Sequence, residues 1–172
     1  MGAEHRGRTS GADRRWLSAA IELSRRCPPT DTAYAVGAIV VDRDGAELAR
    51  GYSRDSDPRI HAEESALARL AGRGVDLTGA TIYSSMEPCS VRKLRRLSCT
   101  GLILAAGIRQ VVFALREPPI FVICRGAELL RDSGVEVIEI ADLDHLVLDV
   151  NVHLLRSGPV AGRTADPVDL VQ

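Results

Sequence analysis

Strand-like and helix-like segments alternate along almost the whole chain, and this alternation limits the possible folds more than any other feature. β-Branched and apolar runs predict five strands, and apolar residues at helical spacing predict the helices between them. Strands that alternate with helices form a sheet that helices cover, so we expect a three-layer α/β/α sandwich. The predicted elements are helix 16–27, strands 36–41 and 46–52, helix 61–71, strand 81–86, helix 99–106, strand 110–115, helix 125–132, strand 135–140 and helix 143–155.

The connections between the predicted strands indicate a mixed sheet. Asp44-Gly45 is a strong hairpin signal, so the first two strands should pair antiparallel. Helices separate the later strands, as expected of parallel strands joined by right-handed crossovers. Residues 13–156 are therefore expected to form one domain. Residues 1–12 and 157–172 show no apolar period and are expected to be a disordered N-terminus and a flexible C-terminal tail.

Charge and composition exclude several classes of protein. The net charge is −1 and 45% of the residues are hydrophobic, which is ordinary for a globular protein and argues against a nucleic-acid partner. No apolar run approaches the ~20 residues of a transmembrane helix, and the N-terminus lacks a secretory signal. We therefore expect a cytoplasmic protein without membrane contact. In such a protein, cysteines together with histidines indicate metal binding or catalysis before disulfides, and Cys27 is expected to be an ordinary thiol at a helix end.

Two short segments supply candidate metal ligands and a carboxylate. His61-Ala62-Glu63 begins a predicted helix, Cys89 follows a buried strand, and Cys99 begins the next helix. Catalytic zinc takes three protein ligands and keeps a fourth position for water, which one histidine and two cysteines satisfy. Nine residues separate the two cysteines, a weak metal signal that buried apolar cysteines would also produce. Together with His61 and Glu63 the pattern predicts a Zn²⁺ site, with Cys124 as a weaker rival for the third ligand.

Glu63 is the candidate acid and base of this site. Its position two residues after His61 can bring its carboxylate near the metal without making it a ligand. Zinc lowers the pKa of a bound water from ~15.7 towards ~7. Glu63 would take that proton, deliver it to a ring nitrogen and later protonate the departing amine. His-x-Glu followed by Pro-Cys and a second cysteine is the pattern of hydrolytic deaminases, which release ammonia.

These motifs resemble the cytidine deaminase superfamily, and within it the pyrimidine deaminase domain of riboflavin biosynthesis. The resemblance implies a cytidine deaminase-like five-stranded mixed sheet, with Zn²⁺ held by His61, Cys89 and Cys99 and proton transfer by Glu63. It also implies a small aminopyrimidine or nucleotide substrate and a homodimer or larger homo-oligomer. The resemblance extends over about residues 13–142 and is carried by residues 16–26, 36–40, 61–63, 86–90, 105–112 and 126–137.

The departures from this family lie where a substrate would be recognised. The family insert between the cysteines carries paired histidines, whereas residues 91–97 read Val-Arg-Lys-Leu-Arg-Arg-Leu. Ala33 stands where the family has an asparagine. No reductase domain follows within the sequence, so a nicotinamide-dependent step is not expected. The resemblance therefore implies the deaminase reaction for this chain, but it does not imply the riboflavin-pathway substrate.

Six residues are candidates for substrate contact. The basic run of the insert suits a substrate phosphate, because arginine pairs bidentately with phosphate, although a solvated loop gives the same pattern. An aromatic residue before the first strand could stack on the substrate ring or pack beneath the sheet. A strand serine could touch substrate or be a buried, hydrogen-bonded hydroxyl. The candidates are Tyr34, Ser84, Arg92, Lys93, Arg95 and Arg96.

Three functions remain open at this point. The first is a deaminase of an aminopyrimidine nucleotide, in a riboflavin-like or specialised pathway. The second keeps the reaction but acts on deoxycytidylate, cytidine or another nucleoside or nucleobase. The third is a zinc-stabilised binding protein without catalysis, against which the intact Glu63 argues.

Overall fold

A computed structural model describes residues 9–119 and 123–156 and contains the predicted alternation of elements. The strands are β1 (Gly37–Val41), β2 (Glu47–Tyr52), β3 (Thr81–Met86), β4 (Gln110–Leu115) and β5 (Glu136–Glu139). The helices are α1 (Gly11–Ser24), α2 (Ala62–Ala68), α3 (Cys99–Ala105), α4 (Gly126–Asp132), α5 (Asp144–Val150) and α6 (Val152–Arg156), with a 3₁₀ turn at Ala141–Leu143. Among the described helices, none is long and apolar enough to cross a membrane.

The five strands form one mixed sheet in the order β2-β1-β3-β4-β5. β1 pairs antiparallel with both β2 and β3, whereas β3, β4 and β5 pair in parallel. This confirms the predicted five-stranded mixed sheet. Because β3 and β4 are parallel, their carboxyl ends lie at the same edge of the sheet, where ligand sites of open α/β sheets are found.

Apolar side chains pack on both faces of the sheet, which gives the three-layer α/β/α sandwich that was predicted. Along β1, Ile39 and Val41 pack in the cluster that contains residues of α1 and α5. The alternate residues Ala38 and Val40 pack in the cluster that contains residues of α2, α3 and α4. Burial on both faces explains why the inner strands read as continuous apolar runs rather than alternating ones.

Helix α1 begins at Gly11, five residues before the predicted start, and so includes residues assigned to a disordered N-terminus. The Ser10 hydroxyl accepts a hydrogen bond from the Asp13 amide at 3.0 Å, and the Asp13 carboxylate accepts one from the Ser10 amide at 2.8 Å. This capping box is reinforced by the Tyr83 hydroxyl, which donates to Asp13 at 2.9 Å. The remainder of the predicted N-terminus, residues 1–8, and the predicted tail, residues 157–172, lie outside the described residues.

The predicted C-terminal helix is broken at Asn151 into α5 and α6. The Asn151 side chain is 1% exposed and pairs with both backbone groups of Ala35, accepting from the amide at 2.7 Å and donating to the carbonyl at 3.1 Å. A buried side-chain amide needs hydrogen-bond partners, and Asn151 finds them at the point where α5 ends. The C-terminal helices are thereby fastened to the segment that leads into β1.

Gly51 permits the close approach of β2 and α2. A Cβ atom at this position would lie 2.5 Å from the Ala66 amide nitrogen and 2.6 Å from the Ala62 carbonyl oxygen. We expect Gly51→Ala to lower the free energy of unfolding by about 1–3 kcal/mol, because backbone atoms of α2 would have to move. Urea denaturation measures this loss. Gly11→Ala is the matched control, since nothing lies within 4 Å of its Cβ position, and equal stability of the two variants would contradict the prediction.

Candidate metal centre and substrate pocket

One imidazole and two thiols converge at the carboxyl edge of the sheet. His61 is the N-cap residue of α2, but its side chain makes no capping hydrogen bond. Its Nδ1 instead lies 3.5 Å from Cys89 Sγ and 3.4 Å from Cys99 Sγ. The structure therefore brings together the three ligands that the sequence predicted.

The geometry of these three donors fits a zinc ion. In a tetrahedral site, Zn–S bonds of ~2.3 Å and Zn–N bonds of ~2.0–2.1 Å place sulfur and nitrogen about 3.6 Å apart. The observed nitrogen–sulfur separations are 3.4 and 3.5 Å, and all three donor atoms lie within 4.8 Å of one another. Three protein donors leave one position of a tetrahedral site for water or substrate, as in catalytic zinc sites.

Backbone contacts join the two cysteines across the nine residues between them. The Cys99 amide donates to Cys89 Sγ at 3.3 Å, and the Thr100 amide donates to the Cys89 carbonyl at 3.2 Å. The Thr100 hydroxyl also donates to that carbonyl. The Cys99 thiol lowers the pKa of Cys89 by hydrogen bonding to it, while the same bond and burial raise the pKa of Cys99. Cys89 is therefore the thiol more readily ionised, which a zinc ligand requires.

The remaining two cysteines lie outside this cluster. Cys124 Sγ donates to the Pro88 carbonyl at 3.5 Å, and burial raises the pKa of Cys124 to about 12. Cys27 Sγ donates to the Val36 carbonyl at 3.4 Å, and burial raises its pKa also. Cys124 is thus not the third ligand of the described cluster.

Glu63 is 3% exposed and lies on the wall of the same pocket as His61 and Cys89. Burial is the main cause that raises the pKa of Glu63, and the nearby charge of Cys89 raises it further. The Ser84 hydroxyl donates to Glu63 Oε1 at 2.9 Å. Ser84 is fully buried and is absent from the described pocket wall, so its contact is with Glu63.

The pocket beside the three donors has a volume of about 330 Å³. Its wall includes Tyr34, which is 2% exposed and packs with the core on the α1 face of the sheet. The Tyr34 hydroxyl donates to the Pro118 carbonyl at 3.2 Å, and burial raises its pKa. Tyr34 is therefore both a core residue and a pocket residue, and stacking on a substrate ring stays a prediction.

Two arginines of the basic insert, Arg92 and Arg95, pair with carboxylates. Arg92 is buried and donates to Glu64 Oε2 at 2.6 Å and to the Arg59 carbonyl. Arg95 lies 3.5 Å from both Asp57 and Glu64. Within the described ranges, the pocket wall includes none of the four cations predicted to contact substrate, Arg92, Lys93, Arg95 and Arg96.

Four charged residues of the pocket wall were not predicted as site residues from the sequence: Arg54, Arg59, Glu87 and Glu117. Glu87 accepts a hydrogen bond from the Ala127 amide at 2.9 Å. Glu117 follows β4 at the sheet edge that also carries Cys89, and burial raises its pKa to about 7. The position of Glu117 directly after a parallel strand could have indicated a pocket residue, because ligand sites lie at the carboxyl ends of such strands. Arg54 adopts a left-handed conformation (φ 63°) and donates to the carbonyls of Pro28 and Tyr34. Arg59 lies two residues before His61 and is exposed.

Known proteins resemble this chain in sequence and in fold. Residues 10–115 match the zinc-binding region of cytidine and deoxycytidylate deaminases. A diaminohydroxyphosphoribosylamino-pyrimidine deaminase of Schizosaccharomyces pombe is 41% identical over 126 residues, which are 72% of this chain and 31% of that protein. The crystal structure of a diaminohydroxyphosphoribosylaminopyrimidine deaminase/5-amino-6-(5-phosphoribosylamino)uracil reductase from Thermotoga maritima superposes with a TM-score of 0.73 at 33% identity, over 85% of this chain and 41% of that one.

A third relative shows the likeness of fold alone. The Rib2 deaminase of Aspergillus oryzae, solved in complex with DARIPP, has a TM-score of 0.70 at 24% identity. The match covers 81% of this chain and 89% of that one. The chain spans less than half the length of the S. pombe and T. maritima relatives. The resemblance to riboflavin-pathway deaminase domains that the motifs indicated is confirmed.

Zinc content tests the assignment of the ligands. We expect about one zinc ion per chain, and we expect Cys89→Ser and Cys99→Ser each to reduce it to near zero, because each removes one of three donors. Elemental analysis after dialysis against a weak chelator measures the content, and circular dichroism checks folding. Cys27→Ser and Cys124→Ser are the matched controls and should retain zinc. Loss of zinc from Cys124→Ser would contradict the assignment.

Proposed function

We propose that this chain, which belongs to the zinc-binding cytidine and deoxycytidylate deaminase family, is a hydrolytic deaminase. It would convert a ring amino group of a small aminopyrimidine nucleotide to a carbonyl and release ammonia. The observation that carries the proposal is the meeting of three zinc-compatible donors and a buried carboxyl group at one pocket. Water supplies the oxygen of the new carbonyl, and the amino nitrogen leaves as ammonia.

His61, Cys89 and Cys99 are the residues that would hold zinc. Zinc bound there supplies a Lewis acid that makes water a nucleophile at neutral pH. The pocket lies beside His61 and Cys89, so a substrate ring in it is next to the metal position. At about 330 Å³ the pocket lies at the small end of the range for small-molecule sites, which suits a single pyrimidine ring whose phosphoribosyl substituent extends towards solvent.

Glu63 would carry the protons of the reaction. Its raised pKa lets the carboxyl group hold a proton closer to neutral pH than an exposed glutamate does. A group that takes the two protons of the attacking water in turn, and gives one to the ring nitrogen and the other to the leaving amine, works best with a pKa nearer to the working pH. Ser84, which donates to Oε1, keeps the carboxyl group in one orientation towards the pocket.

The relatives guide the choice of substrate. Those from S. pombe and T. maritima are named for diaminohydroxyphosphoribosylaminopyrimidine. We extend this substrate to the present chain as the first compound to test. The Glu117 carboxyl group on the pocket wall suits amino groups of such a ring, because a group with a pKa of about 7 can accept or donate a hydrogen bond near neutral pH.

Three further expectations accompany the proposal. The chain is expected to form a homodimer or larger homo-oligomer, to have no nucleic-acid partner and to act in the cytoplasm. Each stays a prediction. Size-exclusion chromatography with light scattering determines the first of them.

Replacement of Glu63 separates catalysis from metal binding. Glu63→Gln keeps the shape of the side chain but cannot carry the proton, so we expect turnover to fall by about 10²–10⁴-fold with zinc content unchanged. Ammonia release is the measurement, with the pyrimidine ribotide, cytidine, deoxycytidine, their monophosphates and guanine as substrates.

The panel also distinguishes the competing functions. Turnover of the ribotide alone supports the riboflavin-pathway substrate. Activity on deoxycytidylate or a nucleoside keeps the reaction and changes the substrate. Zinc-loaded, folded protein that releases ammonia from none of these compounds would contradict the proposal and favour a non-catalytic binding protein.

Ser84→Ala tests whether the hydrogen bond from Ser84 to Glu63 contributes to catalysis. We expect kcat to fall by about 10-fold while KM changes little, because the carboxyl group loses a buried hydrogen bond worth about 1 kcal/mol or more. Ser85→Ala is the matched control: Ser85 is equally buried on β3, but its hydroxyl accepts from the Gly37 amide at 3.1 Å. It should lower stability and leave kcat unchanged. Equal effects of both variants on kcat would show that Ser84 has no specific role.

A further inference from the structure

Two arginines lie on the described wall of the pocket, and only one has a side chain that is available to a ligand. Arg54 is occupied: its Nε and Nη2 donate to the Pro28 carbonyl at 3.1 and 2.8 Å, and its Nη1 donates to the Tyr34 carbonyl at 3.1 Å. The Arg59 side chain is exposed and makes no hydrogen bond or ion pair within residues 9–119 and 123–156. Arg59 is thus the available cation of the pocket.

The backbone of Arg59 is fixed on both sides although its side chain is not. Its amide donates to Asp57 Oδ1 at 2.7 Å, and its carbonyl accepts from Arg92. Arg92 is itself held by Glu64 at 2.6 Å, and the next residue, Ile60, accepts from the Arg54 amide at 2.9 Å. Such fixation means that only the side chain of Arg59, and not its backbone, has to be ordered when a ligand binds.

The pocket wall near the metal donors suits a phosphate less well than Arg59 does. Glu63, Glu87 and Glu117 all lie on that wall, and each carboxyl group that is ionised repels a phosphate. The hydroxyl-bearing residues Thr30 and Thr32 lie on the same wall and can donate to an anion. A charged substituent of the substrate is therefore best placed beside Arg59, the exposed arginine of the wall.

We propose that Arg59 binds the phosphate monoester of the substrate and so sets the preference for a nucleotide over a nucleoside. The inference rests on the proposed deaminase function. The Cα atoms of Arg59 and His61 are at most about 7 Å apart, because only Ile60 lies between them in the chain. The guanidinium group pairs with phosphate through two parallel hydrogen bonds. The insert, to which the sequence assigned this role, contributes through Arg92 by holding the Arg59 carbonyl.

Kinetics with paired substrates test the assignment. The pyrimidine ribotide and its dephosphorylated riboside are compared in wild-type protein and Arg59→Gln. We expect the variant to raise KM for the ribotide by roughly 10- to 100-fold, with kcat and the KM of the riboside unchanged. Arg73→Gln, an exposed arginine after α2, is the control for loss of a positive charge. If Arg96→Gln raises KM for the ribotide and Arg59→Gln does not, the insert binds the phosphate and the proposal is overturned.

A binding measurement separates this inference from the proposed function. Ribose 5-phosphate and ribose are titrated into zinc-loaded protein, with protein-detected NMR as the readout. Binding of ribose 5-phosphate, but not ribose, that is lost in Arg59→Gln supports the phosphate site even if no compound is deaminated. Equal binding to both proteins, or no binding to wild type, overturns the phosphate site and leaves ammonia release as an independent test of the deaminase. Inorganic phosphate as competitor shows whether the phosphate group alone is recognised.

Discussion

The candidate site depends on the hydrogen bonds that hold the start of α3 against Cys89. The Cys89 carbonyl and thiol accept from three donors of Cys99 and Thr100, so the two sulfurs lie together whatever the length of the chain between them. His61 completes the group from α2, which Gly51 allows to lie directly against β2. The insert can therefore differ in sequence while the three donors keep a geometry that fits zinc.

The pocket is shaped by residues remote from the metal donors. Arg54 holds the carbonyls of Pro28 and Tyr34, and Asn151 holds both backbone groups of Ala35. Buried or half-buried backbone groups are costly when unpaired, so these side chains fix the loop that forms one wall. The C-terminal helices thus contribute to the pocket although they supply none of its described wall residues.

The sequence predicted correctly those features whose residue pattern has a single physical explanation. The strands β3 and β4 were predicted with their observed bounds, and His61, Glu63, Cys89 and Cys99 meet as expected. It failed where a residue has several possible partners. A run of arginines does not reveal whether its charges face a phosphate or carboxylates, and here Glu64 and Asp57 take Arg92 and Arg95. Likewise, nothing local to Asn151 indicates that its partner is Ala35, 116 residues away.

The available cation of the pocket, Arg59, is exposed, whereas the candidate proton carrier, Glu63, is buried. An arginine beside Glu63 would favour its ionised form and lower its pKa, which would weaken it as a proton donor. Instead, burial and the charge of Cys89 keep the pKa of Glu63 raised, and the available cation, Arg59, lies at the exposed mouth. Arg92, which is buried and whose charge acts on the Cys99 thiol, is neutralised by its ion pair with Glu64.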